Sequence, residues 1–305
     1  MKRIIRFLVR FYKLYLNNKN EDRVNSLVRL KNFWESDINY DSRKRFLIHL
    51  MESALPDKSI IFIHGVFNGN NRYLEKFFNC KFRKKHKNIK IFNVWYASEN
   101  VRPPFINNFD CILGWDIDED IPKNIFLPGW VTELGDNLLE AKLYQHEMTK
   151  SRKPAIKKNR FACIIANNPE SIRMNFLSLL QEIGDVDCYG SAFGNPIPDK
   201  KIVLNQYRFN LCFENDLYPN YVSEKIFDAY ASECIPIWWG IDGNDFINEK
   251  AIVNVFKLGF SKGLDLIKKI ESDLNIQIRM RSEPILNKEF DFDLVSSKIR
   301  SMLVD

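Results

Sequence analysis

The residues best suited to chemistry cluster between Tyr207 and Gly240, in the run YRFNLCFENDLYPNYVSEKIFDAYASECIPIWWG. Glu224 and Lys225 stand side by side where a helix is expected to begin. The free N–H groups and positive dipole end of a helix start favour an anion. A lysine ammonium on its flexible stem adds a mobile charge suited to phosphate. Glu224 can only accept hydrogen bonds when ionised, which suits sugar hydroxyls. Asn215 and Tyr221 flank the pair. Together these types describe a pocket for a nucleotide sugar or a similar phosphorylated ligand. The same spacing also fits an ordinary capped surface helix with an exposed Glu and Lys, and spacing alone leaves both readings open.

The elements that must position these groups follow from the apolar pattern. Arg208 to Phe213 reads as a strand whose unbroken Leu211-Cys212-Phe213 end suits burial on both faces. Glu214, Asn215 and Asp216 break it, Pro219 and Asn220 continue the loop, and a helix is predicted to start near Tyr221 to Ser223, capped by Ser223 or Asn220. Ile226, Phe227 and Tyr230 recur at helical spacing, and Ile235 to Trp239 forms the next strand, ended by Gly240. A strand–helix–strand unit of this size implies parallel strands with a right-handed crossover, and open sheets of that kind bind ligands beyond the carboxyl ends of their strands. A second such unit precedes it. Arg160 to Ala166 (RFACIIA) is a strand, and Asn167-Asn168-Pro169 turns into a helix with a buried stripe of Ile172, Phe176, Leu179, Leu180 and Ile183. Arg173 lies off that stripe in the first turn, at the same sheet edge as Lys225. Its planar fork could bridge two phosphate oxygens, or it could pair with Glu170 at the surface. The strand DVDCY ends at Tyr189 and Gly190, which would border a nucleotide.

The segments FEN (Phe213–Asn215), YVSEK (Tyr221–Lys225), DAY, IPIWWG and IVNV (Ile252–Val255) closely resemble the α1,3/4-fucosyltransferases of glycosyltransferase family 10. The likeness covers most of residues 160–256, with a thinner echo at 92–130. It implies an α/β protein of the GT-B fold, two Rossmann-like domains facing across a cleft. GDP-β-L-fucose would sit in the C-terminal domain against Arg173, Asn215, Tyr221, Glu224 and Lys225, with Tyr189 and Gly190 at its border. The acceptor sugar would lie mainly against the N-terminal domain. The family's general base is a glutamate in a GEN-like segment, and SEN (Ser98–Asn100) is similar, which implies Glu99 as the base. Ser98 replaces the glycine and leaves the geometry of that loop open; Glu99 could instead order its own loop. Glu99 follows the predicted strand IKIFNVWY (Ile89–Tyr96). The resemblance implies an inverting transfer that requires no cofactor, with a divalent metal at most stimulatory. The short acidic pairs Asp116/Asp118 and Asp185/Asp187 are patterns that recur by chance. Other readings are a transferase of the same fold using another nucleotide sugar, or a carbohydrate-binding relative without turnover.

Length and composition agree with that outline. A chain of 305 residues exceeds the usual span of one core. Two domains are therefore expected: residues 1–150 on the acceptor side, and 151–305 on the donor side with C-terminal helices. The basic, Pro154-containing run 150–160 (KSRKPAIKKNR) reads as their linker. Six scattered cysteines without a CxxC pair point to free buried thiols and a reducing, cytoplasmic compartment. The net charge of +6 is concentrated at the start, where residues 1–50 hold 12 Lys and Arg against 5 Asp and Glu. In residues 1–16, Arg3, Arg6, Arg10 and Lys13 share one helical face and Ile4, Ile5, Leu8, Phe11, Tyr12 and Tyr15 fill much of the other. Such a helix fits peripheral binding to an anionic inner membrane surface, or packing on its own domain, and is too interrupted by charge to span a bilayer. The basic run 81–90 (KFRKKHKNIK) reads as a solvated loop, because no nucleic-acid motif accompanies it. The expected partners are therefore GDP-fucose and a glycan or glycolipid acceptor, with no nucleic acid. The acceptor implied by resemblance is N-acetylglucosamine, linked α1,3 or α1,4, in synthesis of a surface glycan such as lipopolysaccharide or capsule.

Overall fold

The computed structural model of the chain describes residues 28–31, 42–55, 59–65, 90–97, 106–117, 121–155, 157–197 and 199–304. The expected amphipathic helix at 1–16, the basic run 81–89, Glu99 and Asp118 lie outside the described residues. The chain divides into two compact units, 1–126 with 293–305, and 127–292.

The first unit is built on a parallel sheet in simple sequence order: β1 (Val28–Lys31), β2 (Ser59–His64), β3 (Lys90–Tyr96), β4 (Cys111–Gly114) and β5 (Asn124–Phe126). β2 (SIIFIH) and β4 (CILG) are short apolar runs of the kind that parallel sheets bury on both faces, and every residue of β4 is buried. The helix Ser42–Ala54 turns Phe46, Leu47, Leu50, Met51 and Ala54 inward. The last helix, Phe292–Leu303, buries Val295, Ile299 and Leu303 at four-residue spacing. Its Arg300 donates to the carbonyls of Ala54 (3.2 Å) and Ser53 (3.3 Å), which have no partner inside their own helix end.

The second unit has a parallel sheet of different topology. β6 (Arg160–Ile165), β7 (Val186–Tyr189), β8 (Tyr207–Phe213), β9 (Ile235–Trp239) and β10 (Val253–Asn254) lie in the order β10-β9-β8-β6-β7. The chain leaves β6 toward one side to form β7, then returns past β6 to form β8 on the other. The β6/β8 boundary is therefore the topological switch point, where diverging connections open a crevice beyond the strand ends. Phe161, Ile164, Phe209, Leu211, Phe213, Ile235 and Ile237 form the sheet's share of the core, closed by Phe176 and Leu180 of the helix Ser171–Gln181 and by Ile267 and Ile270 of the helix Phe260–Ser272.

The crossover helix Lys225–Ala231 starts later than its sequence suggests. Residues 221–223 are not helical, Glu224 takes the N-cap position, and no side chain caps the helix there. The reason is a competing partner: the Ser223 hydroxyl donates to Glu214 (2.6 Å), and Asn220, at φ 66°, gives its N–H to Ile241 O (2.9 Å). At its other end the helix is firmly held. Tyr230 O accepts from Arg152 Nη2 (2.6 Å), Glu233 O from Arg281 Nε (2.9 Å), and Ser232 O from Lys158 Nζ. Arg152 also lies 3.6 Å from the centre of the Tyr230 ring. Lys158 further donates to Asn205 O (3.0 Å) and Leu204 O (3.3 Å), so one ammonium closes the ends of two helices, Lys200–Leu204 and Lys225–Ala231. The basic run read as a linker therefore supplies the side chains that fix the rear of the second unit's sheet.

Candidate functional site

The switch point gathers polar groups from three loops. After β6 come Asn167 and Asn168; after β8 come Glu214 and Asn215; after β7 comes Gly190. Arg173, in the first turn of Ser171–Gln181, crosses the crevice mouth. Its Nη1 donates to Asn168 O, and its Nη2 donates to Phe213 O (2.9 Å) and to Asn215 Oδ1 (3.1 Å). Arg173 is only 2% exposed, and burial draws its guanidinium below the ordinary arginine value. It is a buried tie between the ends of β6 and β8, and not a surface partner of Glu170. Asn215 is oriented by that tie.

Lys225 and Glu214 form the second half. Glu214 has a fully buried side chain and accepts from Ser223 N–H (3.0 Å), Ser223 Oγ (2.6 Å), Trp238 Nε1 (3.3 Å) and Lys225 Nζ (3.3 Å). Lys225 also donates to Ser223 Oγ (2.9 Å), and its side chain stays 22% exposed. Burial works against the charge on Lys225, but Glu214 and then Glu224 outweigh it, so the ammonium is held above its ordinary value. Arg173 acts on Lys225 in the opposite sense, as a neighbouring like charge does. Two cations therefore share the carboxyl edge of β6 and β8.

Glu224 is partly exposed and pairs with Lys200 (3.3 Å), which also reaches Asp228 (3.0 Å). Burial opposes the charge on Lys200, yet the two carboxylates raise it above the ordinary lysine value; burial pushes the Asp228 carboxyl up. Tyr221 is buried, its N–H donating to Tyr218 O (3.1 Å).

The β7 edge divides in two. Gly190 (φ 101°, ψ 174°) exchanges hydrogen bonds with Asn195 and lies so close to Ala166 that a Cβ would fall 2.1 Å from that residue's carbonyl oxygen. It thereby sets the height of the loop carrying Asn167 and Asn168. Tyr189 turns its hydroxyl back to Tyr207 (2.7 Å), which donates to Asp187 (2.7 Å), itself bonded to Arg160 (2.9 Å). Asp187 is thus occupied within the sheet. In the first unit, β3 ends at Tyr96, and Ala97 N–H donates to Leu113 O (2.9 Å) two residues before Glu99. Asp116 is buried, and its backbone carbonyl accepts from Asn124 Nδ2 (2.8 Å).

The structure thus brings together Arg173, Asn215, Glu224 and Lys225 around a residue that sequence reading passed over, Glu214. Its signal was present: a carboxylate directly after an unbroken apolar strand, with a serine nine and a lysine eleven residues on. Lys200 carried no such signal, because it reaches Glu224 from another crossover.

Residues 155–273 match the family model described as glycosyltransferase family 10 (fucosyltransferase), C-terminal. The chain is 30% identical over 292 residues to the Helicobacter pylori α-(1,3)-fucosyltransferase FucT, covering 85% of this chain and 58% of that protein. It is 30% identical over 171 residues to a Bos taurus 3-galactosyl-N-acetylglucosaminide 4-alpha-L-fucosyltransferase, covering 53% of this chain and 44% of the relative. The chain therefore spans only about half the length of these relatives. Among solved structures, an α1,3-fucosyltransferase superposes with a TM-score of 0.67 at 24% identity, over 91% of this chain and 90% of that one. An α1,3-fucosyltransferase with GDP-fucose superposes with a TM-score of 0.59 at 23% identity, over 87% and 97%. With the two parallel sheets, these likenesses identify the architecture as GT-B.

Proposed function

We propose that this chain, whose residues 155–273 match the glycosyltransferase family 10 (fucosyltransferase) C-terminal model, is a member of that family and transfers L-fucose from GDP-fucose to a hydroxyl of a glycan or glycolipid acceptor, with inversion at the anomeric carbon. The observation that carries the reading is the pair of like charges, Arg173 and Lys225, at the β6/β8 switch point. Glu214 already answers Lys225, and a diphosphate supplies the further negative charge that two cations at one strand edge can hold. A relative that bears this activity in its name and a neighbour solved with GDP-fucose support the choice of donor.

In this scheme the diphosphate lies between Lys225 and Arg173, and Asn215 and Glu224 take ribose or fucose hydroxyls. Tyr221 packs behind them, and Tyr189 and Gly190 border the nucleotide through their backbone. Glu99 accepts the proton of the acceptor hydroxyl as its oxygen bonds to the anomeric carbon. The bond from that carbon to the β-phosphate oxygen breaks on the opposite face, and its electron pair leaves with GDP. General-base help of this kind supplies about 10²–10⁴-fold. The cationic pair meets the charge developing on GDP, so turnover is expected to persist in a strong chelator. The acceptor assigned is N-acetylglucosamine, linked α1,3 or α1,4, within a lipopolysaccharide or capsule glycan. The work is placed at the cytoplasmic membrane face, with residues 1–16 as the anionic-lipid contact. No described helix is long and apolar enough to cross a membrane.

The test is a screen of glycan acceptors with GDP-fucose, read by mass spectrometry, alongside thermal stabilisation by GDP, UDP and CMP. Selective stabilisation by GDP and a product heavier by one fucosyl group are expected. Preferential stabilisation by UDP or CMP would reassign the donor, and GDP binding without turnover on any acceptor would favour a carbohydrate-binding relative. Glu99→Gln is expected to lower turnover by about 10²-fold or more while leaving GDP affinity within about twofold. Equal turnover would remove Glu99 from the role.

A further inference from the structure

We infer that Glu214 is a positioning residue for the transfer: its buried carboxylate aims the Lys225 ammonium, through the Ser223 hydroxyl, at the diphosphate of the donor. The inference rests on the donor reading above and names a group that reading does not use.

The geometry carries it. Glu214 is the first residue beyond β8, and its N–H still donates to Trp239 O (3.0 Å), so its backbone is locked to the sheet. Its two oxygens divide their work. Oε1 accepts from the neutral donors Ser223 N–H and Trp238 Nε1, whereas Oε2 accepts from Ser223 Oγ and Lys225 Nζ. A carboxylate buried to this degree is tolerated because every lone-pair direction is answered, one of them by a cation. Ser223 Oγ acts as a relay: it donates its proton to Glu214 and accepts one from Lys225. Two of the three ammonium N–H groups are thereby committed at fixed angles, and the third direction is set by tetrahedral geometry. A lysine alone is a mobile point charge; clamped in this way it behaves as an oriented donor.

The charge state follows from the same clamp. The groups facing Lys225 are Glu214 from the end of β8, Glu224 beside it, Asp228 one turn along its helix, Arg173 from the helix Ser171–Gln181, and the Cys212 thiol, which donates to Lys225 O (3.4 Å). Lys200 draws on both Glu224 and Asp228. Glu214 is the largest of the influences that keep the ammonium charged against burial. Without it, burial and Arg173 favour the neutral amine against Glu224 alone, and the balance shifts toward the uncharged form.

The full chain is used for the test. GDP affinity is measured by calorimetry from pH 7 to 10 for the wild type, Glu214→Gln and Ser223→Ala, with a melting temperature at each pH. The ratio of variant to wild-type affinity at one pH cancels the titration of GDP itself. Competitive acetylation at Lys225, read by peptide mass spectrometry, reports the free amine without any ligand. For Glu214→Gln, GDP affinity is expected to fall about tenfold at pH 7 and further as pH rises, with acetylation at pH 9 faster by about tenfold or more. A merely structural role would lower the melting temperature without moving either pH profile. Wild-type binding of GDP, with unchanged affinity ratio and acetylation in Glu214→Gln, overturns this inference and leaves the donor reading intact. Failure of the wild type to bind GDP overturns both. If Glu214→Gln does not fold, Ser223→Ala decides: it keeps both charges, loses the relay, and is expected to weaken GDP about threefold to tenfold. Unchanged affinity there overturns the inference.

Discussion

Gly190→Ala tests whether the height of the Asn167–Asn168 loop is set by backbone contact. At φ 101° and ψ 174° the residue lies in a region open essentially to glycine alone, a conformation that costs about 1–3 kcal/mol for any other residue. The new Cβ would also stand 2.1 Å from Ala166 O and 2.7 Å from Ala166 C. An ordinary carbon–oxygen contact needs about 3.3 Å, so one strand end must retreat by roughly 1.2 Å. Forcing added carbon into a packed position typically costs about 1–3 kcal/mol. The total is roughly 2–6 kcal/mol. Gly194, four residues on in the same loop, is the control: its φ is 64°, but nothing lies within 4 Å of an added Cβ. Only the left-handed conformation is charged there, at about 1–2 kcal/mol. The loss of chain entropy in the unfolded state favours alanine equally at both sites and cancels in the comparison. Urea unfolding followed by tryptophan fluorescence should place Gly190→Ala below Gly194→Ala by about 2.5 kcal/mol, the difference between the centres of the two ranges, at equal m-values. Asn168 O accepts from Arg173, so the retreat should also reach the guanidinium and weaken GDP binding in Gly190→Ala alone. Equal stability of the two variants would show that the Ala166 contact does not constrain the loop.

Three further outcomes follow from the same structure. Lys225→Ala should weaken GDP binding by about 1.5–3 kcal/mol, the range for a charge-assisted hydrogen bond, and an unchanged calorimetric affinity would place the diphosphate elsewhere. Lys158→Met keeps the length of the side chain but leaves the carbonyls of Leu204, Asn205 and Ser232 without their donor; a loss of about 2–4 kcal/mol is expected in chemical unfolding, and a loss below about 1 would show that water replaces the ammonium. Burial raises the thiols of Cys163, Cys212 and Cys234, the last to about 12, so above pH 9 the unfolded chain gives up protons that the folded chain keeps. Stability should therefore fall as pH rises from about 9 toward 12, by up to about 1.4 kcal/mol per pH unit for each thiol, and a flat profile would contradict their burial.

Much of the second unit's sheet was legible because its strands are short, largely unbroken apolar runs. Arg160–Ile165 and Ile235–Trp239 fall where their sequences place them, since parallel strands buried on both faces leave little room for polar residues. The start of Lys225–Ala231 was misread for a physical reason. Ser223 is a good capping residue by type, but its hydroxyl is claimed by Glu214, nine residues earlier, and sequence pattern cannot arbitrate between a local and a distant partner. Lys158 and Arg152 likewise look like solvated charges in a basic run, whereas each serves carbonyls more than forty residues away. Arg173 was correctly set at the sheet edge, but its burial depends on Phe213 and Asn215 reaching it from across the crevice.

The sequence by itself determined the elements and the chemical types: apolar runs of strand length, crossover helices between them, and acids, amides and cations at the strand ends. Only the tertiary structure decided which of those groups meet. Strand order places β8 beside β6 and opens the crevice between them, and that order is a property of long-range packing. It turns Arg173 into a tie between two strands, Lys200 into a partner of Glu224, and Glu214 from a loop acid into the buried carboxylate that orients Lys225. Hydrogen bonds and charges act over a few ångströms, and separations of eleven to forty-two residues become such distances only when the sheet has formed.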